Sequence, residues 1–462
     1  MIEVRNPFSN EIIETIKIPT NVKIENFFKT SEEYYKKKFK KIPAYQRAEI
    51  LYNVAIKIKE NTQELANLIA TEGGKPLKDA IIEVKRAANT VKMSGDEALN
   101  LNGHQLTMDR SAGTENHIAF SLKESIGPVL AISAFNHPVN LICHQVATAI
   151  AAGNTVILKP AEKTPLCARK ICDFFYESGL DKDALIYLPI TGQQTQNILN
   201  NPAIRYVSFI GSASIGWQIK KLVNPGIKVM LEHGGTAAAV VDKSANLKNT
   251  IPSILKGAFY HSGQVCVSTQ TTYIHSDIYD EFLEKIHEGA SKLIVGDAKD
   301  INTDLGPLIT PAVVEKMKYF VEDAIKNGAR LVLGGKELAN NCFETTILTN
   351  VTKEMKVFTE EVFGPILNLI KYSNIDEIIQ EISDSNFAFQ TAIYTQDIDL
   401  AFYFARNVEQ KACIINDSTA FRVDWMPFGG FKDSGFGTGG IKYAIEDMTE
   451  EKLIIIKNNY QV

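Results

Sequence analysis

Cysteine and net charge are both scarce in this chain. Its six cysteines are spread along 462 residues, with no CxxC pair and none beside histidines at the spacing of zinc ligands. This pattern excludes a disulfide framework and predicts no metal site. Lys and Arg number 49 and Asp and Glu 54, which gives a net charge of −5. So weak a charge gives no reason to expect nucleic acid or an anionic membrane surface as a partner.

Long hydrophobic runs and a secretory leader are also missing. The most apolar segment, residues 139–153, is interrupted by His144 and Gln145, and a membrane-spanning helix needs about 18 consecutive apolar residues. The first residues, MIEVRNPFSN, lack the basic start and apolar core of a secretory signal. Together with the few cysteines, these absences predict a reduced, cytoplasmic protein. Its length predicts about three domains at roughly 150 residues each.

Short apolar strands alternate with amphipathic helices from residue 127 onward. This alternation predicts parallel sheets with helices on both faces, the doubly wound nucleotide-binding architecture. It occurs in two successive sets, so we expect two α/β lobes with a small-molecule site in the cleft between them. The predicted strands are 128–134, 155–159, 184–188, 206–210 and 228–231, then 237–241, 270–275, 330–333, 366–371, 391–395 and 412–416. The predicted helices between them are 138–152, 165–178, 194–201 and 214–222, then 247–261, 279–292, 311–327, 375–383 and 400–407.

The two ends of the chain have other patterns. Residues 47–73 and 77–101 have the apolar spacing of helices. Residues 117–122 alternate as a strand does, and 452–457 reads as a last strand. We expect these two strands to pair, either within one subunit or across a subunit boundary.

Cys266, in the segment SGQVCVS, is a candidate nucleophile. A single cysteine is more often a buried structural residue, because a reactive thiolate needs a lowered pKa or a neighbouring base. Glu232, in KVMLEHGG, is the candidate base, since it ends an apolar strand and precedes two glycines that do not obstruct it. The alternative for Glu232 is a solvated carboxylate at a strand end.

Two strand ends carry features of a dinucleotide site. Gly211 and Ser212, in FIGSASIG, follow a strand and open a helix, whose free N–H groups and positive dipole can hold a pyrophosphate. The spacing is not GxGxxG, so the dinucleotide fingerprint itself is absent. Lys159 and Glu162 follow another strand, where they either bind ribose hydroxyls at the sheet crevice or form an ordinary surface ion pair.

Asn136 lies in SAFNHPVN at a strand-to-helix junction. Its ordinary role there is a helix N-cap, and the alternative is an oxyanion hole formed by its side-chain amide with a backbone N–H. His137, Asn140, Leu141 and His144 are predicted to share one helical face. That face is more polar than a core helix presents, so it lines either a polar substrate channel or a subunit contact.

Taken together, these segments resemble the aldehyde dehydrogenase superfamily over nearly the whole chain. The family motif LELGG appears as LEHGG at 231–235, and GQxC appears as GQVC at 263–266. The motif EIFGP appears as EVFGP at 361–365, and PFGGxKxSGxG appears at 427–437. The chain departs from the family at His233, at Thr236 and in the segment GTGG at 437–440, which lacks the usual Arg-Glu.

The resemblance implies an α/β fold of two Rossmann-like lobes, one for the cofactor and one for catalysis, plus a small β oligomerisation element. The dinucleotide-binding domain is expected at 1–104 and 125–234, and the catalytic domain at 235–435. The oligomerisation strands are expected at 105–124 and 448–462, in a homodimer or homotetramer.

The resemblance also implies roles for the candidate residues. Cys266 attacks the aldehyde, Asn136 and the Cys266 N–H stabilise the oxyanion, and Glu232 activates the water that hydrolyses the thioester. The presence of Glu232 favours a free carboxylate over transfer to coenzyme A. The implied cofactor-binding residues are Lys159, Glu162, Gly211, Ser212, Glu361 and Phe363.

The residues around Glu162 bear on the choice of cofactor. A carboxylate there accepts hydrogen bonds from ribose hydroxyls and repels a 2′-phosphate, which favours NAD. Lys159 and Lys163 flank the site and soften that repulsion, which leaves NADP open.

The segment at 416–430, with FNHP earlier, resembles the branch that contains lactaldehyde and phosphonoacetaldehyde dehydrogenases. His137, His144 and Arg422 are the expected substrate residues, although Arg422 is equally consistent with a solvated loop arginine. Val265 stands where the phosphonate enzymes prefer arginine. We therefore predict oxidation of a small polar or anionic aldehyde, similar to lactaldehyde or glycolaldehyde, to the free carboxylate.

Three alternatives remain open. The first is a succinate-semialdehyde dehydrogenase. The second is a catalytically retired structural or binding protein on the same fold, which is expected to have lost one of the three candidate catalytic residues. The third is a thiol hydrolase that uses Cys266 without a nicotinamide cofactor.

Overall fold

The chain begins with a β-hairpin and four helices. The structure is a computed structural model that describes residues 1–458. The helical run predicted at 47–73 is broken, because the Asn61 side chain donates to the Lys57 carbonyl and ends a helix there. In this described part, no helix is both long and apolar enough to cross a membrane. The elements are β1 (Ile2–Arg5), β2 (Ile12–Ile16), α1 (Asn21–Lys37), α2 (Ala44–Glu60), α3 (Thr62–Gly73) and α4 (Leu77–Leu99).

A six-stranded sheet forms the first α/β unit. Its parallel strands lie in the order β9, β8, β5, β6 and β7. The chain leaves β5 in one direction and returns to its other side with β8, so the sheet has a topological switch point at the carboxyl ends of β5 and β8. After β3 (Gln105–Leu106) and β4 (His117–Ser125), the elements are β5 (Val129–Ile132), α5 (Asn140–Ala151), β6 (Val156–Lys159), α6 (Pro165–Glu177), β7 (Leu185–Tyr187), α7 (Gly192–Gln196), β8 (Tyr206–Ile210), α8 (Ala213–Leu222) and β9 (Lys228–Glu232).

Alternate residues of this sheet pack on opposite layers of helices. Val129 and Ala131 of β5 are buried in the cluster that contains α2, α4 and α5, whereas Leu130 and Ile132 are buried with α1 and α8. Burial on both faces explains why β5 is an uninterrupted apolar run and why β6 is apolar up to Lys159. The doubly wound prediction is confirmed.

A seven-stranded sheet forms the second α/β unit. Its order is β12, β13, β14, β11, β10, β16 and β17, parallel except for the antiparallel pair β12 and β13. The elements are β10 (Ala237–Val241), α9 (Leu247–Phe259), β11 (Thr269–His275), α10 (Tyr279–Ser291), α11 (Pro311–Lys326), β12 (Arg330–Leu333), β13 (Thr346–Thr349), α12 (Lys356–Thr359), β14 (Ile366–Tyr372), α13 (Ile375–Ser383), β15 (Phe387–Ala388), β16 (Gln390–Tyr394), α14 (Ile398–Asn407) and β17 (Ala412–Ile415).

The chain then returns from the second sheet to the first. β18 (Phe431–Lys432) pairs with β15, and β19 (Gly435–Phe436) adds to the edge of β9, with Gly435 opposite Glu232. This return carries the segment around residues 417–440 across the space between the two large sheets. It is followed by α15 (Ile441–Asp447) and β20 (Thr449–Lys457).

A separate three-stranded sheet has the order β20, β4 and β3. β20 pairs antiparallel with the whole of β4, from Thr449 opposite Ser125 to Lys457 opposite His117. The predicted pairing of the last strand with 117–122 is therefore confirmed, and it occurs within one chain. Of the oligomerisation strand expected at 448–462, residues 459–462 lie outside the described part.

Candidate active site

One cavity between the two large sheets brings most of the predicted site residues together. Its volume is about 970 Å³, which suits a small molecule with a cofactor. It extends from the switch point of the first sheet to the loop that carries Arg422. Glu162 and His144 do not line it. The predicted residues that do are Asn136, His137, Lys159, Gly211, Ser212, Glu232, Cys266, Glu361, Phe363 and Arg422.

A left-handed turn presents Cys266 to this cavity. α9 ends at Phe259, and the next residues include His261, Ser262 and Gly263, with φ of 49°, 56° and 71°. A Cβ at Gly263 would lie 2.1 Å from the Gly364 carbonyl oxygen, so glycine is required there. The helix predicted to reach residue 261 is therefore wrong at its end, because this turn redirects the chain toward Cys266.

The surroundings of Cys266 disfavour the ionised form of its thiol. Burial raises the pKa of its thiol to about 12, Arg422 acts to lower it, and Glu232 acts to raise it. Since the thiolate is the reactive form, the Cys266 proton has to leave before the sulfur attacks. Arg422 is the positively charged group that acts on this thiol, and it favours the ionised form.

Asn136 points at the same segment. It is buried, and its Nδ2 donates to the Gln264 carbonyl at 3.0 Å, two residues before Cys266. An amide nitrogen carries two hydrogens, so one N–H remains for a ligand. The N-cap interpretation is wrong, because α5 begins at Asn140 and Glu83 Oε1 accepts from the N–H groups of Val139 and Asn140, at 2.9 and 3.1 Å.

Glu232 ends β9 and is buried at the cavity wall. Burial raises the pKa of its carboxyl, and Arg422 opposes the shift. A Cβ at Gly439 would lie 2.1 Å from Glu232 Oε1. The departure GTGG therefore has a structural reason at one position: bare backbone at Gly439 makes room for the Glu232 carboxylate.

The switch point supplies the dinucleotide features. Gly211 and Ser212 precede α8, whose first N–H groups and dipole face the cavity. Lys159 ends β6 and is almost completely buried, which lowers the pKa of its ammonium group. Glu162 does not line the cavity, but it is partly exposed and acts on Lys159 electrostatically, and its Oε1 accepts from the Gly192 N–H at 2.7 Å, at the start of α7.

Glu361 and Phe363 close the cavity from the second unit. Glu361 Oε1 is buried without a hydrogen-bond partner in residues 1–458, and a Cβ at Gly234 would lie 1.6 Å from it. Burial raises the pKa of Glu361 to about 7, and Lys316 opposes this. Phe363 has a φ of 53° and packs edge-on against Phe135, with ring centroids 6.0 Å apart.

His233, the departure within LEHGG, packs beneath α8. Its Nδ1 lies 2.9 Å from the Asp433 carbonyl oxygen, and its ring meets Trp217 edge-on at 5.6 Å. A Cβ at Gly216 would lie 1.9 Å from His233 Nε2. The larger ring is accommodated because α8 has a glycine at that contact.

Two arginines lie at the other end of the cavity. Arg422 stacks over Phe428, with 3.6 Å from the guanidinium carbon to the ring centroid. Arg86 of α4 also lines the cavity, and Asp424 binds it through two hydrogen bonds. Sequence reasoning missed Arg86, because an arginine on an amphipathic helix is typical of a solvated face. The only sequence signal for Arg86 was its possible partner Asp424, an acidic residue two positions after Arg422.

Of the polar face predicted on α5, Asn140 and Leu141 line the cavity and His144 does not. Asn140 Nδ2 and His144 Nε2 lie 3.0 and 2.9 Å from Asp424 Oδ1, and Asn140 Oδ1 accepts from Thr90 of α4 at 3.0 Å. Burial lowers the pKa of His144 to about 4. His137 also lines the cavity, although α5 begins only at Asn140, and its carbonyl accepts from the Leu141 N–H at 3.0 Å. Within the described residues no group of His, Cys, Asp and Glu is placed to hold a metal ion.

The fold and this cavity define an α/β oxidoreductase with a cysteine, a glutamate and an asparagine beside a dinucleotide-type crevice. The chain belongs to the aldehyde dehydrogenase family, whose family model matches residues 1–454. The predicted superfamily, fold and enzyme class are confirmed.

Two relatives have substrates in their names. The chain is 38% identical to the 3-sulfolactaldehyde dehydrogenase of Priestia aryabhattai, over 98% of this chain and 94% of that protein. It is 35% identical to the lactaldehyde dehydrogenase of Methanococcus aeolicus, over 98% of this chain and 97% of that protein.

Two solved structures have the same fold along their whole length. Aldehyde dehydrogenase 21 from Physcomitrella patens, in complex with the reaction product succinate, is 32% identical with a TM-score of 0.97, and 100% of this chain and 96% of that chain are covered. Glyceraldehyde-3-phosphate dehydrogenase GapN from Methanocaldococcus jannaschii, complexed with NADP, is 34% identical with a TM-score of 0.95, and 99% of each chain is covered.

Proposed function

We propose that this enzyme oxidises a small polar aldehyde with an anionic group to the free carboxylate, with a nicotinamide dinucleotide as hydride acceptor. The observation that carries the proposal is that Cys266, Asn136 and Glu232 line one cavity together with the start of α8 and two arginines. The family supports the reaction type.

The residues present fit a dinucleotide. The buried, unpaired oxygen of Glu361 is a ready acceptor for a ribose hydroxyl, and the start of α8 at Gly211 and Ser212 suits a pyrophosphate. Lys159 would hold the adenosine ribose, and Phe363 would pack beside the nicotinamide. When bound, the dinucleotide supplies the acceptor for the hydride that leaves the aldehyde carbon.

The chain's own residues account for the rest of the chemistry. The Cys266 thiol loses its proton to water, its sulfur bonds to the aldehyde carbon as the carbonyl double bond opens, and the free N–H of Asn136 with the Cys266 N–H stabilises the resulting oxyanion. After oxidation to the thioester, Glu232 takes a proton from water, and the water oxygen bonds to the acyl carbon. The carbon–sulfur bond breaks, the sulfur takes the proton held by Glu232 and becomes a thiol again, and the product acid loses its proton to water and leaves as the carboxylate.

Arg422 and Arg86 support an anionic substrate, because guanidinium groups bind carboxylate and sulfonate oxygens. The names of two similar proteins also support an anionic substrate. One is a 3-sulfolactaldehyde dehydrogenase, and the other was solved in complex with succinate. Uncharged lactaldehyde is a second candidate, supported by the lactaldehyde dehydrogenase relative.

An aldehyde panel with NAD and with NADP tests the proposed function. It comprises sulfolactaldehyde, succinate semialdehyde, lactaldehyde, glycolaldehyde, glyceraldehyde-3-phosphate and phosphonoacetaldehyde. We expect the highest kcat/KM for an aldehyde with one negative charge, measured as reduced nicotinamide formed. A highest value for an uncharged aldehyde would contradict the anionic part, and no reduced nicotinamide with any member would contradict the whole.

We propose NAD as the preferred cofactor, because the Glu162 carboxylate is fixed beside the Lys159 end of the cavity. The NADP complex of a similar structure makes NADP the alternative.

Glu162→Gln should raise the ratio of kcat/KM for NADP to that for NAD about tenfold, because a negative charge beside a 2′-phosphate is removed. The glutamine oxygen can still accept from Gly192. Glu177→Gln, on the exposed end of α6, is the matched control, and an equal ratio in both variants would contradict the role of Glu162.

We propose a homodimer or homotetramer assembled through the three-stranded sheet. Ile118 and Ile456 lie directly opposite each other on β4 and β20 and are 55% and 51% exposed, as expected of an interface. Light scattering should give at least twice the 51.2 kDa of one chain. Ile456→Glu should reduce the mass, whereas Ile301→Glu, at an equally exposed isoleucine elsewhere (53%), should not. A monomeric unchanged protein would contradict this assembly.

We also propose the cytoplasm as the location. All six cysteines are free, as is usual in a reducing compartment.

A further inference from the structure

Asp424 is the centre of a buried polar cluster behind the substrate end of the cavity. It is 3% exposed. Its carboxylate accepts from Arg86 Nη2 at 2.8 Å and from Arg86 Nε at 3.1 Å. The Asn140 amide and the His144 ring lie at 3.0 and 2.9 Å. Asp424 itself does not line the cavity, so it acts on a ligand through the groups that it holds.

Arg86 and Asp424 form an ion pair at this end, and the Glu232 carboxylate acts electrostatically on the other arginine, Arg422. The bonds to Asp424 use Nε and Nη2 of Arg86, which leaves Nη1 for a ligand. Asp424 therefore neutralises Arg86 within this pair, whereas Arg422 has no hydrogen-bonded carboxylate among residues 1–458. Burial acts to raise the pKa of Asp424, but the hydrogen bond from His144 and the charge of Arg86 lower it further, so the pKa lies well below its usual range and the carboxylate stays ionised.

Further charged groups act near the two arginines. Glu83, which is paired with Lys75, acts on Arg86 electrostatically. Asp79 and Lys256 line the cavity and act on each other electrostatically with opposite charges. Asp417 lines the cavity as well, but it is exposed to solvent. A solvated charge is screened, so it contributes little to the selection of a buried ligand.

We propose that Asp424 is a specificity-determining, positioning residue that limits this end of the cavity to ligands with one negative charge. A carboxylate or sulfonate can bind the Arg422 guanidinium, whereas a phosphate dianion brings a second negative charge that Asp424 repels. The inference rests on the proposed function, because it assumes that the two arginines face the substrate's anionic group.

Inhibition by two anions of the same shape tests this inference. Methyl sulfate carries one charge, and methyl phosphate carries close to two at pH 8, since the second pKa of a phosphate monoester is about 6. Both are used as competitors of whichever aldehyde the enzyme oxidises. We expect Asp424→Asn to tighten methyl phosphate relative to methyl sulfate about tenfold, because the second charge no longer meets a buried carboxylate.

Two further variants distinguish an effect of charge on the inhibitor ratio from a general loss of packing. Arg86→Gln should shift the inhibitor ratio in the opposite direction, and Arg86→Gln combined with Asp424→Asn should return it to within about twofold of the unchanged enzyme, since the net charge is restored. A general loss of packing would weaken both anions alike and leave the ratio unmoved. Asp417→Asn is the matched control at a solvated carboxylate, with an expected change of less than about twofold.

The inference is overturned if the ratio in Asp424→Asn equals that of the unchanged enzyme and of Asp417→Asn. If Asp424→Asn does not fold, an unmoved ratio in Arg86→Gln overturns it. Failure of the proposed function appears elsewhere, in the aldehyde panel, because the inhibitor ratio is measured with any aldehyde that is turned over.

Discussion

Replacing Cys266 with alanine should abolish dehydrogenase turnover, with a fall in kcat of at least about 1,000-fold. The sulfur is the atom that bonds to the aldehyde carbon, and no other group of the site supplies a nucleophile to replace it. The measurement is the rate of reduced nicotinamide formation with the best aldehyde of the panel. Loss of the covalent intermediate should appear in the same variant as the absence of an acylated protein by mass spectrometry.

Cys413→Ala is the matched control for this prediction. Cys413 is also partly exposed, but it lies on β17 and does not line the cavity. Its replacement should leave kcat within about twofold, as for a substitution away from the reacting atoms. Turnover in Cys266→Ala close to that of the unchanged enzyme would refute the role of the sulfur.

Replacing Glu232 with glutamine should let the first turnover proceed and then stall the enzyme. Oxidation of the Cys266 adduct does not need this carboxylate, but hydrolysis of the thioester needs a base for water. Rapid-mixing measurements should show one equivalent of reduced nicotinamide per site, followed by a steady rate about 100-fold or more below that of the unchanged enzyme. The protein should carry the acyl group by mass spectrometry.

The pH dependence of hydrolysis and the recovery of turnover with hydroxylamine give two further tests of Glu232. Burial raises the pKa of this carboxyl, and a base works only when ionised. Hydrolysis should therefore fall on the acid side at a higher pH than a solvated glutamate would give. Hydroxylamine, a stronger nucleophile than water, should restore turnover to Glu232→Gln. A full steady rate without hydroxylamine would show that another group activates the water.

Local sequence patterns predicted an element correctly where the residues of that element determine its structure. Strands 206–210 and 237–241 were predicted to the residue, because buried parallel strands are apolar runs bounded by turn residues. β13 was missed, since Thr346–Thr349 is short and half threonine. The helix predicted at 194–201 is Gly192–Gln196, because a capping box at Thr191 and Gln194 starts it earlier.

The candidate catalytic residues were also readable from the sequence, although their surroundings were not. Cys266, Glu232 and Asn136 each lie in a short motif, and the cavity contains all three. The interpretation of Asn136 as an N-cap failed because the group that caps α5 is Glu83, more than fifty residues earlier in the chain. A cap from a distant helix leaves no local signal.

The sequence by itself determined the order of the strands and helices, the family and the chemical groups available for the reaction. The tertiary structure alone decided which charges meet. Arg86 and Asp424 are 338 residues apart, and His144 was expected to face the substrate but binds Asp424. Such pairs depend on how α4, α5 and the loop after β17 pack together. No pattern within a few residues records that packing, because it arises only when the distant segments are folded against one another.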